Sequence, residues 1–288
     1  MDTAGALATS KRYLTDTARG YSALFFLDNP LAGALLIAGT FAYPNIGGAG
    51  LLGALVGLLV ARVFAFPDAR NNTFVLNSLL VGLSLGAFYK LGINLAVLIA
   101  AGATLAVFVS AAISDLFWRE EHLPVLVIPF LIVAAITALV ARQLVGLTPF
   151  VGYSEFTIGF LPNRVNEFLS LLGATFFTLH PMAGAIVLAV IVYHSRYLAL
   201  LAIAAVLVGQ LVLLALDVNQ QPLLIAWAGF NLVLTAIAIG GIYTVPGLAS
   251  FLSAMLATAL TGLLLIACQN LLFIHGLPLI ALPYISVT

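Results

Sequence analysis

The sequence predicts an all-α integral membrane protein of two related halves, with about ten transmembrane helices in two inverted repeats of five plus re-entrant segments. Three observations predict it. Hydrophobic residues make up 63% of the 288 positions and charged residues 7%, whereas a soluble domain holds about 45–50% and about 25%. Apolar runs of about 20 residues, the length that crosses a bilayer, follow one another along the chain. Segments of the first half return in the second, in the same order and at nearly one spacing. The surplus apolar surface requires lipid as its solvent.

The polar stretch 1–19 carries Lys11, Arg12 and Arg19 and reads as a cytoplasmic N-terminal segment of the mature protein. The first repeat is expected over 20–145. A short piece, Tyr21 to Leu27, precedes Asp28-Asn29-Pro30, and apolar runs follow near 31–43, 48–66, 74–88, 91–114 and 124–145. A polar linker is expected over 146–167, with Pro149, Tyr153, Glu155, Pro162, Asn163 and Arg164. The second repeat is expected over 168–288, with runs near 168–193, 196–216, 222–244, 247–274 and 276–288.

Several runs are interrupted. His180-Pro181 cuts the stretch that starts at Phe168, Leu123-Pro124 and Pro129 interrupt the fifth run, and Pro278 and Pro283 interrupt the last. Proline removes a backbone donor and breaks the helical ladder. In lipid the freed carbonyl must be buried in protein or line an aqueous cavity, so paired breaks point to a transport site.

The pairing is direct. Phe25-Phe26-Leu27-Asp28-Asn29-Pro30-Leu31-Ala32-Gly33 aligns with Phe176-Phe177-Thr178-Leu179-His180-Pro181-Met182-Ala183-Gly184 at an offset of 151. Asn77, Leu79, Leu80, Leu83 and Gly86 align with Asn231, Val233, Leu234, Ile237 and Gly240 at 154, and Leu123-Pro124 to Phe130 aligns with Leu277-Pro278 to Tyr284 at 154. We read a duplication. An odd number of crossings per half makes the second half enter from the opposite side. With the N-terminus inside, seven of the ten Lys and Arg residues fall on inner loops (Lys11, Arg12, Arg19, Arg62, Arg70, Arg119, Arg196) and Lys90, Arg142 and Arg164 fall outside, as the positive-inside rule requires. A bacterial inner membrane is the expected location.

Three boxes carry a family resemblance. Asp28-Asn29-Pro30-Leu31-Ala32-Gly33 resembles the Asn-Asn-Pro-x-Ser-Gly box of urea transporters, and Leu123 to Phe130 resembles their Leu-Pro-x-x-Thr-x-Pro-Phe signature. Ala228-Gly229-Phe230-Asn231, running on to Ala238-Ile239-Gly240-Gly241, resembles their second-half Gly-Phe-Asn box. The resemblance covers about residues 18–288. It implies two five-helix halves with a tilted re-entrant element each, one pore on a pseudo-twofold axis in the membrane plane, homotrimers with a pore per subunit, and urea moving down its gradient. Its partners are urea or a similar small neutral solute and the bilayer. The resemblance also implies site residues: Phe26 and Phe177 as the slot phenylalanines that cover the faces of the solute, with Leu24 and Thr175 as their smaller neighbours.

The same comparison exposes departures. Ala23 and Ala174 stand where the family carries Gln or Glu, and Val127 and Ala281 stand where it carries threonine at the pore waist. Each unreplaced amide hydrogen bond costs roughly 1–3 kcal/mol. Weaker urea conduction is therefore expected, with a less polar solute, ammonia or another small amide as further candidates.

Two other functions stay open on sequence. Gly173-Ala174-Thr175, preceded by Leu172, is similar to part of the Ser/Thr-Gly-Ala-Thr flavin-attachment motif of membrane subunits in redox-driven ion pumps. Loss of the four polar positions suits a non-conducting scaffold or sensor. No cofactor, metal or catalytic group is expected: His122 beside Glu120 and Glu121 reads as a solvated loop, and the single cysteine, Cys268, as a small lipid- or helix-facing residue. No basic run suggests nucleic acid. His180 reads as a hydrogen-bonded structural group, and Asp28 as either a functional intramembrane acid or an interfacial one.

Overall fold

The computed structural model describes residues 3–67, 71–120, 125–151, 156–216, 222–275 and 280–288. Among them the chain is α-helical, with no strand. It divides into two compact units, one ending at Phe150 and the other starting at Val151. The first holds α1 (Thr3–Ser22), a 310 turn (Ala23–Phe25), α2 (Pro30–Thr40), α3 (Pro44–Val63), α4 (Asn71–Phe88), α5 (Ile93–Glu120) and α6 (Ile128–Ala141). The second holds α7 (Asn163–Gly173), a 310 turn (Ala174–Phe176), α8 (Pro181–His194), α9 (Arg196–Ala215), α10 (Pro222–Ile237) with a π turn (Ala238–Ile242), α11 (Leu248–His275) and α12 (Leu282–Val287).

Among the described residues, four helices are long and apolar enough to cross a bilayer alone: Pro44–Val63, Ile93–Phe117, Arg196–Ala215 and Leu248–Gln269. Two bent pairs qualify only when each is taken together, Ser10–Phe25 with Pro30–Thr40 at 82° and Asn163–Phe176 with Pro181–His194 at 75°. Shorter apolar helices cover Asn72–Phe88, Ile128–Ala141 and Ala228–Ile242. The architecture is an all-α membrane protein.

Some extents differ from the sequence reading. Helix α1 runs on from the stretch expected as a polar tail, because its polar side chains find partners: Arg62 Nη2 lies 2.6 Å from Asp16 Oδ2, and the guanidinium sits 3.6 Å above the Tyr13 ring. Such a cation–π contact strengthens as it is desolvated. Helix α7 starts at Asn163, inside the stretch expected as linker, because Asn166 ties the preceding turn. The Asn166 side chain accepts from the Ile158 amide at 2.8 Å and donates to the Leu161 carbonyl at 3.1 Å. The run expected near 124–145 yields 14 helical residues and the last run six, each helix with proline at its second position, where the missing backbone donor costs nothing. Leu123-Pro124, Leu277-Pro278, His122, Tyr153 and Glu155 lie outside the described residues.

Packing follows the small residues. A Cβ on Gly33 would stand 1.7 Å from the Ala18 carbonyl oxygen, and one on Gly184 1.7 Å from that of Leu169. The two glycines therefore let α2 fold back onto α1, and α8 onto α7, at backbone contact. Gly20 receives the Val75 side chain, where an added Cβ would come within 2.1 Å; in the second unit Gly229 faces the Leu171 carbonyl oxygen at 1.9 Å. Position 171 corresponds to 20, and 229 to 75, but the contact is with a side chain in the first unit and with the main chain in the second. On α11, exposed Leu248, Leu252, Leu256 and Leu260 recur every fourth residue, opposite buried Ala254, Thr258, Thr261, Leu265 and Cys268. This is the pattern of a helix with one face to lipid and one to protein. The threonines return their hydroxyls to their own helix, Thr258 to Ala254 O at 2.7 Å and Thr261 to Ala257 O at 2.9 Å.

The glycine contacts set a clear expectation. Gly184→Ala forces the α7–α8 backbones apart and lowers stability by about 1–3 kcal/mol, the usual cost of overpacking. Gly92→Ala, which meets nothing within 4 Å, changes it by less than about 1 kcal/mol. Thermal unfolding of the purified protein, followed by monodispersity, reads both.

Candidate functional site

Both bent pairs share one backbone design. In the first unit the chain leaves α1 through the 310 turn, and Phe26 takes the left-handed conformation with φ 59° and ψ 26°. Its amide donates to the Ala23 carbonyl at 2.9 Å. In the second unit Phe177 has φ 56° and ψ 18° and donates to Ala174 at the same 2.9 Å. A non-glycine residue there costs about 1–2 kcal/mol. The next helix then starts at proline, whose fixed φ suits the first turn and whose missing donor costs nothing there.

Each new helix is capped. Asn29 Oδ1 accepts from the amides of Leu31 at 2.9 Å and Ala32 at 3.2 Å. His180 does the same work through Nδ1, which accepts from the Met182 amide at 3.1 Å. Its ring stacks on Phe156, centroids 4.4 Å apart. His180 is thus a hydrogen-bonded structural group. Asp28 pairs with Arg19 Nε at 3.3 Å and keeps a side chain 67% exposed.

The predicted site residues fall at two kinds of place. Ala23, Leu24 and Phe26 form the first turn; Ala174, Thr175 and Phe177 form the second. Val127 and Ala281 are the residues immediately before α6 and α12. Leu24, Val127, Ala174, Thr175, Phe177 and Ala281 are buried, and Ala23 and Phe26 are half-buried. The Thr175 hydroxyl donates to its own Leu172 carbonyl at 2.8 Å. In the second unit Phe177 stacks on Phe230, with centroids 5.4 Å apart and planes 22° off parallel, and Phe230 meets the Tyr284 ring edge-on at 6.3 Å. These arrangements hold within each unit.

Sequence reasoning paired Asn77 with Asn231 but gave them no role. Both are fully buried, and each bridges a helix start. Asn77 Oδ1 accepts from the Phe130 amide at 3.0 Å, while its Nδ2 donates to Thr73 O at 3.0 Å and Leu126 O at 3.4 Å. Asn231 Oδ1 accepts from the Tyr284 amide at 3.0 Å, and its Nδ2 donates to Ile280 O at 2.7 Å. The signal that could have found them is the shared offset of 154: a polar residue repeated in an otherwise apolar helix, in register with a repeated proline box.

A helical membrane protein with twin proline-started bends, each preceded by a left-handed phenylalanine, belongs with transport proteins built from broken helices. The family model for urea transporters matches residues 14–288, and the chain belongs to the urea transporter family.

The shared caps give an expected outcome. Asn29→Ala or His180→Ala lowers stability by about 1 kcal/mol, whereas His180→Asn keeps an acceptor at the cap and the parental unfolding midpoint. A His180→Asn midpoint as low as that of His180→Ala would show that the cap is not what the ring provides.

Proposed function

We propose that this protein is a passive pathway for urea, or a similar small neutral solute, down its gradient across a membrane. The observation that carries the reading is the strained phenylalanine repeated in both units. Backbone strain persists only where the surroundings over-determine it, and it gathers at functional sites. Phe26 and Phe177 hold it at the same step of the same turn.

The physical task is to strip water from a flat, polar molecule and return enough contact to let it move. Desolvating an amide without replacement costs several kcal/mol. Aromatic faces above and below can hold the flat sides of urea, and oxygen acceptors along one edge can take its hydrogens. Here Phe26 and Phe177 supply faces, with Leu24 and Thr175 beside them. Ala23, Ala174, Val127 and Ala281 supply no side-chain acceptor, which leaves that work to backbone carbonyls at the helix breaks. None of these eight positions is charged, so the lining offers no group to couple an ion to the solute.

Two inverted repeats, 20–145 and 168–288, joined by 146–167, contribute about ten crossings and enclose one passage. The protein works as a homotrimer in a bacterial inner membrane, with residues 1–19 cytoplasmic.

Stopped-flow flux into proteoliposomes tests it, with urea, thiourea, acetamide, ammonia and water as solutes. Urea passes slowly but above protein-free vesicles. Joint installation of Ala23→Gln, Ala174→Gln, Val127→Thr and Ala281→Thr raises urea flux roughly tenfold or more, the effect of one or two recovered hydrogen bonds. Flux unchanged by the four substitutions means that these positions do not line the route.

A further inference from the structure

Val127 and Ala281 occupy N-cap positions, where a side chain ordinarily accepts from the amide two or three residues on. Neither residue makes such a bond. The position two residues on is proline in both cases, Pro129 and Pro283, which has no amide hydrogen. The amide three residues on, that of Phe130 or Tyr284, is therefore the one a capping side chain could take. In each unit that amide is already held from a neighbouring helix, by Asn77 on α4 or Asn231 on α10. The same asparagine takes the carbonyl just before the cap, that of Leu126 or Ile280.

We propose that Asn77 and Asn231 are positioning residues for solute passage: each caps the helix start from outside, and so leaves the side chain at position 127 or 281 free of backbone duty and available to the pathway. The inference rests on the urea-pathway reading above for its second half, and on the hydrogen bonds alone for its first. The asparagines touch no solute. They decide what a group at 127 or 281 can bind. A hydroxyl introduced at 281 finds its nearest backbone amide taken while Asn231 is present, and it offers itself elsewhere. With Asn231 gone, that hydroxyl folds back and caps Tyr284.

A double-substitution cycle in the full-length protein tests this. The variants are Asn231→Ala, Ala281→Thr and their combination. Each is measured for thermal unfolding in detergent and for urea flux in proteoliposomes, normalised to folded protein. The urea-to-thiourea flux ratio is the readout that simple loss of structure does not move. In the parent, Ala281→Thr leaves the unfolding midpoint unchanged and raises urea flux roughly three- to tenfold, the worth of one hydrogen bond. In the Asn231→Ala background, the same substitution raises the midpoint and gives no flux gain.

A midpoint gain that is equal in both backgrounds overturns the capping half, and an equal flux gain in both overturns the positioning half. Coupled midpoints with no flux response in either background uphold the cap but remove position 281 from the pathway. That outcome overturns the positioning role by way of the urea-pathway reading and leaves the two failures distinguishable. Should Asn231→Ala not fold, Asn77→Ala with Val127→Thr repeats the cycle in the first unit.

Discussion

A backbone amide or carbonyl that loses its helical partner inside a bilayer has no water to turn to. This constraint organises the chain at its breaks. At Phe26 and Phe177 the loss is met locally: a 310 turn closes on Ala23 or Ala174, and a side chain one residue before the proline caps the next helix. At Val127 and Ala281 it is met from outside, by a single asparagine amide that joins the two sides of the break. Ser22 adds a local tie in the first unit, its hydroxyl reaching the Leu27 carbonyl at 2.9 Å. Gly173 replaces it in the second, where an added Cβ would lie 2.5 Å from Thr178 O. Different residues thus reach the same turn.

Satisfying the breaks also shapes what they present. Where the backbone closes on itself, the adjoining side chains need no polar group for stability. Alanine and valine at 23, 127, 174 and 281 are therefore compatible with an intact fold, since the backbone groups beside them find partners elsewhere. The family match describes the scaffold, and the scaffold does not depend on polar side chains at these four positions.

Much of the fold was legible because membrane burial writes itself into composition, and because duplication lets each half check the other. The proline breaks, the paired phenylalanines and the two units all have sequence signals. Helix extents were less legible at two ends. The α1 charges look like a solvated tail until Arg62 is known to face Asp16 and Tyr13, a contact between positions far apart in the chain. Asn166 likewise draws α7 into the expected linker through its grip on Ile158 and Leu161. The left-handed turns were hidden because phenylalanine is a poor predictor of positive φ. Asn77 and Asn231 were visible as a repeat but silent as to role. A buried amide reveals its function only through its partners, and those partners are backbone groups about fifty residues away.

The first helix of each unit makes its close approach in a different way: Gly20 receives the Val75 side chain, whereas Gly229 receives the main-chain carbonyl of Leu171. A β-carbon at position 20 would displace a side chain, and one at position 229 would displace a helix backbone. Equivalent regions of the two units therefore differ in how much change they tolerate, and the second is the less forgiving.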